Sequence, residues 1–386
     1  FIIIIVLPAE LWAQGIASHS VLSSGKWVKL AVTEDGIYRI DYSKLKELGL
    51  TDPSKPRLFS NNMGQLSYYN NGREADDLKE TAIYYSGTDS ILSEGEYILF
   101  YGQSPHRWIY DYSTRNFNFL RHNYSDTAYY FITSGKTAKQ IISKDSSLIA
   151  NKLSLSSDAL YHHEKETENL LKSGRDWFQP VSAINGVSID PQFSDLITSE
   201  KIKYRIRVAA RASIATAFRL SEGTNVIKSI QVAGLNLYNY TGTYANITEY
   251  ADSLTAQSSS PKFDIKYINN GITTENAGWL DFITLHARRE NRFNGTTLKI
   301  TDSRTSGPGN ITEYRIESGT QGFMIWDVTD QHNARNILYR ISGASVSFKD
   351  KSDSLRNYVV FSPSNARSPI INSVNVPNQD LHASQP

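Results

Sequence analysis

Short segments in which apolar and polar residues alternate recur along the whole chain, and they limit its possible folds more than any other feature. The first half contains KWVKLAV (26–32), GIYRI (36–40), TAIYYSG (81–87), EYILFYG (96–102) and AYYFITS (128–134). Alternation with a period of two places successive side chains on opposite faces of a β-strand. The 23 Tyr, 15 Phe and 6 Trp residues are of types that favour strands. The sequence therefore predicts a mainly β chain.

The second half continues this pattern with longer segments. IKYRIRVAAR (202–211) predicts a strand with one buried face, formed by Tyr204, Ile206, Val208 and Ala210. AGWLDFITLHARR (277–289) is apolar on both faces over most of its length, which predicts a central strand covered on each side. The shorter segments TLKI, ITEYRI, GFMIWDV, ASVSFKD and NYVVFS follow. We therefore predict two or more antiparallel β-sandwich or jelly-roll-like domains with few short helices.

One short helix is predicted from Tyr42 to Leu48. Asp41 is a favourable N-cap residue, Leu45 and Leu48 share one face, and Gly49 is a typical stop signal. This helix would lie within the first β domain.

The chain of 386 residues is longer than one hydrophobic core usually organises, which is roughly 250–300 residues. Residues 142–158 are rich in Ser and poor in aromatic residues, as expected of a connection over the surface. We predict an N-terminal β domain at 14–150, a second β-sandwich domain at 159–365 and a linker at 366–386.

Residues 1–13 are predicted to be a signal peptide. An apolar run extends from Phe1 to Leu7, and Ala13 is a small residue suited to a cleavage site. Pro8 and Glu10 interrupt the run well short of the about 20 apolar residues that a spanning helix needs. The chain begins at Phe without a basic segment, so we expect it to be a fragment of an exported protein.

Charge and cysteine content narrow the classes of function. The 40 basic and 39 acidic residues give a net charge of +1, which supplies no field to attract nucleic acid. The chain contains no Cys, so disulfides, thiolate metal sites and a cysteine nucleophile are all absent from it.

Three short motifs resemble known sites but fail at a required position. SGKT (134–137) lacks the first glycine of a phosphate-binding loop, because position 130 is Tyr, and we interpret it as a turn after a strand. HHEKE (162–166) lacks the second His of a zinc-protease helix, because position 167 is Thr, and we interpret it as a polar strand edge. GQSPH (102–106) lacks the second glycine of a nucleophile elbow.

No catalytic, cofactor-binding or metal-binding residue is predicted in this chain. The pair Arg288 and Arg289 could grip a carboxylate or phosphate, but a solvated strand end is favoured. A triad assembled from distant Ser, His and Asp residues cannot be recognised from spacing. Core packing is favoured over a sugar-stacking platform for the six tryptophans Trp12, Trp27, Trp108, Trp177, Trp279 and Trp326.

Several longer phrases, in order and over nearly the whole chain, resemble one family. They are SVLSSGKWVKLAVTEDGIYRIDYSKLKELGL (20–50), GEYILFYGQSPHRWIYD (95–111), YYFIT (129–133), ENLLKSGRDWF (168–178), WLDFITLHARR (279–289) and FMIWDVTD (323–330). These phrases resemble the N-terminal half of the type IX secretion sortases, gingipain-like cysteine peptidases of Bacteroidetes outer membranes. On this resemblance, Gly174 to Pro180 would begin the second β domain, with Trp177 and Phe178 as packing anchors.

The resemblance implies a function for the whole protein. The family removes C-terminal sorting domains from cargo and attaches the cargo to cell-surface lipopolysaccharide. Its catalytic domain, with a His and Cys pair, follows a segment like NVPNQDLHASQP (375–386). This chain would then be a scaffold that is inactive alone, exported to the outer membrane and cell surface. The implied partners are the downstream catalytic domain, an outer-membrane barrel protein with other components of the attachment complex, and cargo proteins. No cofactor is implied.

Two alternatives from other classes remain open. A surface adhesin or glycan-binding β-sandwich protein would need an exposed row of aromatic residues or an acidic calcium loop. A secreted hydrolase would need a triad assembled from distant segments. The sequence shows neither feature clearly.

Overall fold

The computed structural model describes residues 17–61, 64–69, 76–88, 91–239, 241–272 and 275–383. The predicted signal peptide and Trp12 lie outside these residues. The helix α1 (Tyr42–Glu47) matches the predicted helix. Asp41 is its N-cap, Leu48 is its C-cap, and the side chain of Leu45 is buried. Two further helices in the described residues are single 3-10 turns, Val21–Ser23 and Pro363–Asn365.

The first part of the chain forms what we call the N-terminal sandwich. The strands up to residue 134 are β1 (Val28–Val32), β2 (Gly36–Asp41), β3 (Pro56–Ser60), β4 (Lys79–Thr81), β5 (Tyr84–Tyr85), β6 (Tyr97–Gly102), β7 (Arg107–Asp111), β8 (Asn116–Leu120) and β9 (Ala128–Ser134). Two short strands that follow, β10 (Ser143–Lys144) and β11 (Lys152–Ser154), belong to the C-terminal sandwich described below. One sheet contains β1, β9, β3 and β4 in that order, and a second contains β2, β6 and β5. Leu30, Ile98, Phe100 and Tyr130 fill the space between these sheets. Strands β7 and β8 form a separate hairpin.

The next strands form the middle sandwich. They are β12 (Ser156–Glu164), β13 (Gln179–Pro180), β14 (Val187–Ile189), β15 (Ile202–Arg211), β16 (Thr216–Glu222), β17 (Asn225–Val232), β18 (Asn246–Leu254), β19 (Phe263–Ile268) and β20 (Ala277–Glu290). A sheet in the order β12, β20, β15, β18 faces a sheet in the order β14, β19, β16, β17. Strand β20 is central, as predicted, and β15 has the predicted range and buried face.

The remaining strands form the C-terminal sandwich, except for the last. They are β21 (Arg292–Phe293), β22 (Thr297–Ile300), β23 (Ile311–Ser318), β24 (Met324–Asp327), β25 (Arg335–Ile337), β26 (Arg340–Ser342), β27 (Ser345–Lys351), β28 (Tyr358–Phe361) and β29 (Ile370–Ser373). A sheet in the order β10, β25, β24, β28, β22 faces a sheet in the order β11, β23, β27, β26. Phe348, Tyr314, Ile325 and Val360 are buried between them. The short strands β10 and β11 pair in parallel with β25 and β23.

The N-terminal and C-terminal sandwiches stack face to face through an apolar joint. Phe100 on β6 points into the N-terminal core, whereas its neighbour Tyr101 contacts the C-terminal sandwich; Val360 and Val359 on β28 divide in the same way. The joint comprises Ile37, Ala82, Leu99, Tyr101, Ile141, Trp326, Val328, Ala334, Val359 and Phe361. Strands covered on both faces contain nearly continuous apolar runs, which explains YILFYG and YVVF.

The last strand returns to the N-terminal sandwich. Strand β29 pairs antiparallel with β1, and the backbone N–H of Val376 donates to the carbonyl of Trp27 at 3.1 Å. Farther on, Asp380 accepts hydrogen bonds from His19 and from the backbone of Ser20, both at 2.7 Å. The interval 366–383, which was predicted to be part of a linker, is thus held against the N-terminal sandwich along most of its length.

The predicted fold class is confirmed: the chain is mainly β, with antiparallel sheets arranged as sandwiches and few short helices. Within the described residues, no helix has the length and apolar character required to cross a membrane.

Candidate functional site

A cavity of about 940 Å³ lies where the three sandwiches meet. Its walls come from the loop between β1 and β2, the β7–β8 hairpin, strand β12, strand β22 and the loop at 191–193. The GQSPH segment contributes Gln103, Ser104 and His106. Ser104 Oγ donates to the carbonyl of His106 at 3.4 Å, and a Cβ on Gly102 would lie 2.6 Å from the ring of Tyr38. This glycine is therefore needed for packing.

The β7–β8 hairpin bridges the N-terminal and middle sandwiches at one wall of the cavity. The ring of Phe119 stacks on His162 with centroids 3.9 Å apart, and Phe117 meets His286 edge-on at 5.1 Å. Lys203 Nζ on β15 donates to the side chain of Asn116 at 3.0 Å. Aromatic contacts of this kind are each worth roughly 0.5–1.5 kcal/mol beyond the area they bury. The hairpin is thus anchored on the outer face of the β12-β20-β15-β18 sheet.

A buried ion-pair network, which we call the polar joint, connects the middle and C-terminal sandwiches. Arg288 lies 2.9 Å from Asp158 and 2.9 Å from Asp302, and all three side chains are at most 5% exposed. His286 Nε2 lies 2.8 Å from the same Asp158, which also accepts a bond from the backbone of Ser303 at 2.7 Å. Burial opposes ionisation of Asp158, but the bond with His286 and the charge of Arg288 outweigh it and lower its pKa. The expectation that Arg288 lies at a solvated strand end is therefore wrong.

Arg289 has a different environment from its neighbour. It lines the cavity, and its Nη2 donates to the carbonyl of Lys299, whereas its enclosed Nε has no hydrogen-bond partner among the described residues. Within the part of the chain that the structure describes, no carboxylate lies within 4.0 Å of its guanidinium. Burial lowers the pKa of Arg289, and the charge of Asp195 only partly offsets this effect. Asp195 is itself bound to Arg292 at 3.1 Å.

Other charged groups around the cavity are partly paired. Arg367 binds Glu34 at 2.6 Å, and Lys299 lies 3.7 Å from Asp35. Arg107 donates to the carbonyl of Ser104 at 3.0 Å, and burial lowers its pKa. The cavity thus combines several cationic side chains with aromatic walls, a composition suited to binding a small ligand.

The two histidines of HHEKE bind different partners. His162 Nε2 lies 2.7 Å from Glu164, two residues along edge strand β12, whereas His163 Nε2 contacts the side-chain oxygen of Gln179 at 2.8 Å. Burial lowers the pKa of His163. Among the residues with a described placement, no group of three or more His, Asp or Glu side chains could hold a metal ion. The polar strand-edge interpretation is confirmed, since β12 is the first strand of its sheet.

The ENLLKSGRDWFQP stretch packs against the middle sandwich with only one of its predicted anchors. Phe178 is 3% exposed and packs with Ala209 and Trp279, but Trp177 is 41% exposed, so its predicted role as an anchor is wrong. Asp176 lies 3.4 Å from Arg207, which also binds Asp281. Burial raises the pKa of Asp281 to about 6, although Arg207 acts in the opposite direction.

The remaining sequence motifs are structural. SGKT begins with Ser134, the last residue of β9, and continues into a bend, so it lies at a strand end as predicted. Trp27, Trp279 and Trp326 are buried, in agreement with core packing, whereas Trp108 is half-buried at the cavity wall.

Sequence reasoning missed the polar joint and the cavity. The sequence predicts a surface connection at 142–158, which includes Asp158, and no local pattern marks Asp302. Their partner Arg288 is 130 residues from Asp158, so no local spacing indicates the pairing. The one available signal was the Arg288 and Arg289 pair itself.

No protein-family model matches this chain, and no curated protein matches it. Among solved structures, dimeric latent PorU from Porphyromonas gingivalis is similar at a TM-score of 0.80 with 22% identity. The match covers 96% of this chain and 35% of that chain.

Two further matches have much lower TM-scores. The Tobacco streak virus coat protein dimer gives 0.19 at 10% identity, over 34% of this chain and 85% of that chain. The insecticidal delta-endotoxin Cry8Ea1 from Bacillus thuringiensis gives 0.23 at 10% identity, over 68% of this chain and 54% of that chain. Neither likeness shows a common fold.

The likeness to the PorU structure, in contrast, shows that this chain has the fold of about a third of that protein.

Proposed function

We propose that this chain is the scaffold region of a type IX secretion sortase. The observation that carries the proposal is the likeness to the PorU structure, at a TM-score of 0.80 over 96% of the chain. The six sequence phrases that resemble this family support it independently. In this proposal the scaffold holds a gingipain-like cysteine peptidase domain, which removes C-terminal sorting domains from cargo and attaches the cargo to lipopolysaccharide.

The chemistry of the chain fits a scaffold better than a catalyst. A cysteine peptidase needs a thiolate activated by a neighbouring base, and the chain contains no Cys. The apolar joint and the polar joint hold three sandwiches together, as a platform for another domain requires. The chain spans about a third of the length of the solved structure it matches, so the activity of the whole protein belongs to the proposal.

Location and partners follow from the same proposal. The protein would be exported, trimmed after Ala13 and displayed at the cell surface with an outer-membrane barrel protein and other attachment-complex components. Mass spectrometry of material from its host tests the trimming, and a mature protein that retains Phe1 to Leu7 would contradict it.

The scaffold role is tested by reconstitution. The purified chain is incubated with a cargo sorting-domain peptide, alone and with a separately expressed catalytic domain of the same protein. We expect no cleavage by the chain alone and micromolar association with the catalytic domain. A catalytic domain whose nucleophilic Cys is replaced by Ala serves as the control for turnover. Cleavage by the chain alone would overturn the scaffold role, and failure to associate would overturn the platform role.

One observation favours glycan binding as a second candidate. Tyr68, Tyr69 and Tyr124 are all exposed. Arg175 lies 4.4 Å from the ring centre of Tyr68, and Asn123 donates to the Tyr68 hydroxyl at 2.9 Å. Exposed aromatic rings beside amide groups can stack on sugars. Binding to a glycan array that is lost in a Tyr68→Ala, Tyr124→Ala double variant would favour this candidate.

A further inference from the structure

Arg288 and Arg289 are adjacent in the sequence, but their charges lie in different environments. Arg288 is neutralised by Asp158 and Asp302 in the polar joint. Arg289 has no such partner among the described residues, and it lines the central cavity. The only hydrogen bond that the Arg289 side chain makes to a described residue is to the carbonyl of Lys299, which does not neutralise a charge. A partly buried cation without a counter-ion is unfavourable unless a ligand supplies the negative charge.

The charges around the cavity favour an anion. Arg107, Arg289, Lys299 and Arg367 line it, and they face the carboxylates of Glu34 and Asp35. The third carboxylate at the wall, Asp158, is committed to Arg288 and His286. Asp195, the acidic group whose charge acts on Arg289, is bound to Arg292. The walls therefore carry four cationic side chains and three carboxylates, and each of these carboxylates already has a cationic partner.

The loop beside Arg289 is held in an unusual backbone conformation. Gln192 and Asp195 have φ values of 52° and 54°, in the left-handed region that most side chains avoid. Gln192 lines the cavity, as does the buried Phe193 between them. Backbone of this kind is concentrated at ligand sites, where the surrounding structure imposes it.

The cavity walls also select the kind of anion. Trp108, Phe117, Phe119 and Tyr161 supply aromatic surface in the same 940 Å³ space. Phosphate sites are typically built from helix N-termini or glycine-rich loops, and the described walls consist of strands and short loops. A guanidinium fork matches both carboxylate and phosphate, so the aromatic walls are what favour a carboxylate on a ligand that also carries an apolar group.

We propose that the cavity binds a carboxylate on a small ligand with an aromatic or apolar group, such as an acylated amino acid or short peptide. Arg289 receives the carboxylate, and the aromatic wall receives the apolar group. This site is independent of the proposed scaffold function, because it is argued only from the cavity and its charges.

The site is tested with the purified chain and three probes, measured by calorimetry and saturation-transfer NMR. N-acetyl-L-phenylalanine carries both features, N-acetyl-L-phenylalaninamide lacks the charge, and inorganic phosphate lacks the apolar group. We expect the acid to bind about tenfold more tightly than either other probe, because the amide lacks the charge-assisted hydrogen bond and phosphate lacks the contact with the aromatic wall. Equal affinity of the acid and the amide, tighter binding of phosphate, or no binding of the acid at millimolar concentration would overturn the proposal.

Variants separate ligand binding from a structural role of Arg289. Arg289→Gln should weaken acid binding about tenfold, whereas Arg219→Gln, on an exposed position of β16, should leave it unchanged. Thr297→Trp, at an exposed cavity-lining position, should block binding without altering Arg289, so the test survives if Arg289→Gln fails to fold. We expect Arg289→Met to keep the thermal midpoint of the unaltered chain, because it removes an unpaired charge. A fall of that midpoint together with unchanged acid binding in Thr297→Trp would show that Arg289 is only structural.

Discussion

The apolar joint and the polar joint connect the same C-terminal sandwich to two different neighbours. In the apolar joint, Trp326, Val359 and Phe361 meet Leu99 and Tyr101 of the N-terminal sandwich. In the polar joint, Asp302 shares Arg288 with Asp158 of the middle sandwich. The first buries surface without specific partners, whereas the second depends on a complete set of charges. The chain thus uses two physically different ways to hold its sandwiches together.

The difference determines how each joint contributes to stability. Burial of apolar surface contributes about 25 cal/mol per Å², and the loss is graded when side chains shrink. A buried ion pair contributes little net free energy, because desolvation offsets the attraction of the charges. Removal of one partner is nevertheless costly, since the remaining charge stays buried. We therefore expect the apolar joint to supply most of the free energy and the polar joint to favour one arrangement of the two sandwiches.

The largest expected effect comes from the apolar joint. Trp326 is fully buried against Tyr84 and Phe361, with ring centroids 6.3 Å and 4.9 Å away. Trp326→Ala should lower the free energy of unfolding by about 4 kcal/mol, because large aromatic truncations leave a cavity. Urea denaturation measures this change. The matched control is Trp177→Ala, which removes a ring that is 41% exposed and should change stability much less, by about 0.5 kcal/mol.

The polar joint should show a slightly smaller effect of a different kind. Arg288→Met should lower the free energy of unfolding by about 3 kcal/mol, because two buried carboxylates lose their cation. The control is Arg304→Met, which breaks an exposed ion pair with Glu200 and should cost about 0.5 kcal/mol. Asp158→Asn added to Arg288→Met should recover part of the loss. Independent, additive effects of these two substitutions would contradict a shared network.

The comparison also explains what the sequence could predict. Periodicity identified β15, β20 and the helix after Asp41, because their apolar faces are local patterns. Arg288 was misassigned because its partners come from distant parts of the chain, and burial of a charge has no local signal. The exposure of Trp177 was missed for a related reason: composition gives the size of an aromatic residue but not which face is covered. The cavity could not be predicted, since its walls come from three sandwiches that are far apart in the sequence.

A third prediction concerns the outer face of the β12-β20-β15-β18 sheet, which carries both the polar joint and Asp281. Burial raises the pKa of Asp281 from its ordinary value of 3.8 to about 6. The folded chain therefore binds a proton at this carboxyl more readily than the unfolded chain. Its contribution to stability should rise as the pH falls from 7 to 5, by about 1 kcal/mol, and should be lost above pH 6.

Asp281→Asn isolates this contribution. The variant should lack the gain on acidification, whereas Asp353→Asn, at an exposed position, should retain it. Thermal or urea unfolding at pH 5, 6 and 7 measures the difference. An identical pH dependence in the Asp281→Asn variant and the unaltered chain would show that Asp281 does not change its protonation state between pH 5 and pH 7.

The smallest effect is expected in the connection between the N-terminal and middle sandwiches. The sequence predicts a surface connection at 142–158, and in the structure β10 and β11 pair with β25 and β23 on either side of a loop. Ile149, in that loop, is 88% exposed, so we expect limited proteolysis to cut first between Lys144 and Lys152. Mass spectrometry of the first fragments locates the cut.

Because both flanking strands remain paired, the two fragments should stay associated after cleavage and separate only in denaturant. First cleavage within β20 would show that the middle sandwich opens before the connection, and separation of the fragments in native buffer would show that neither joint holds the sandwiches together.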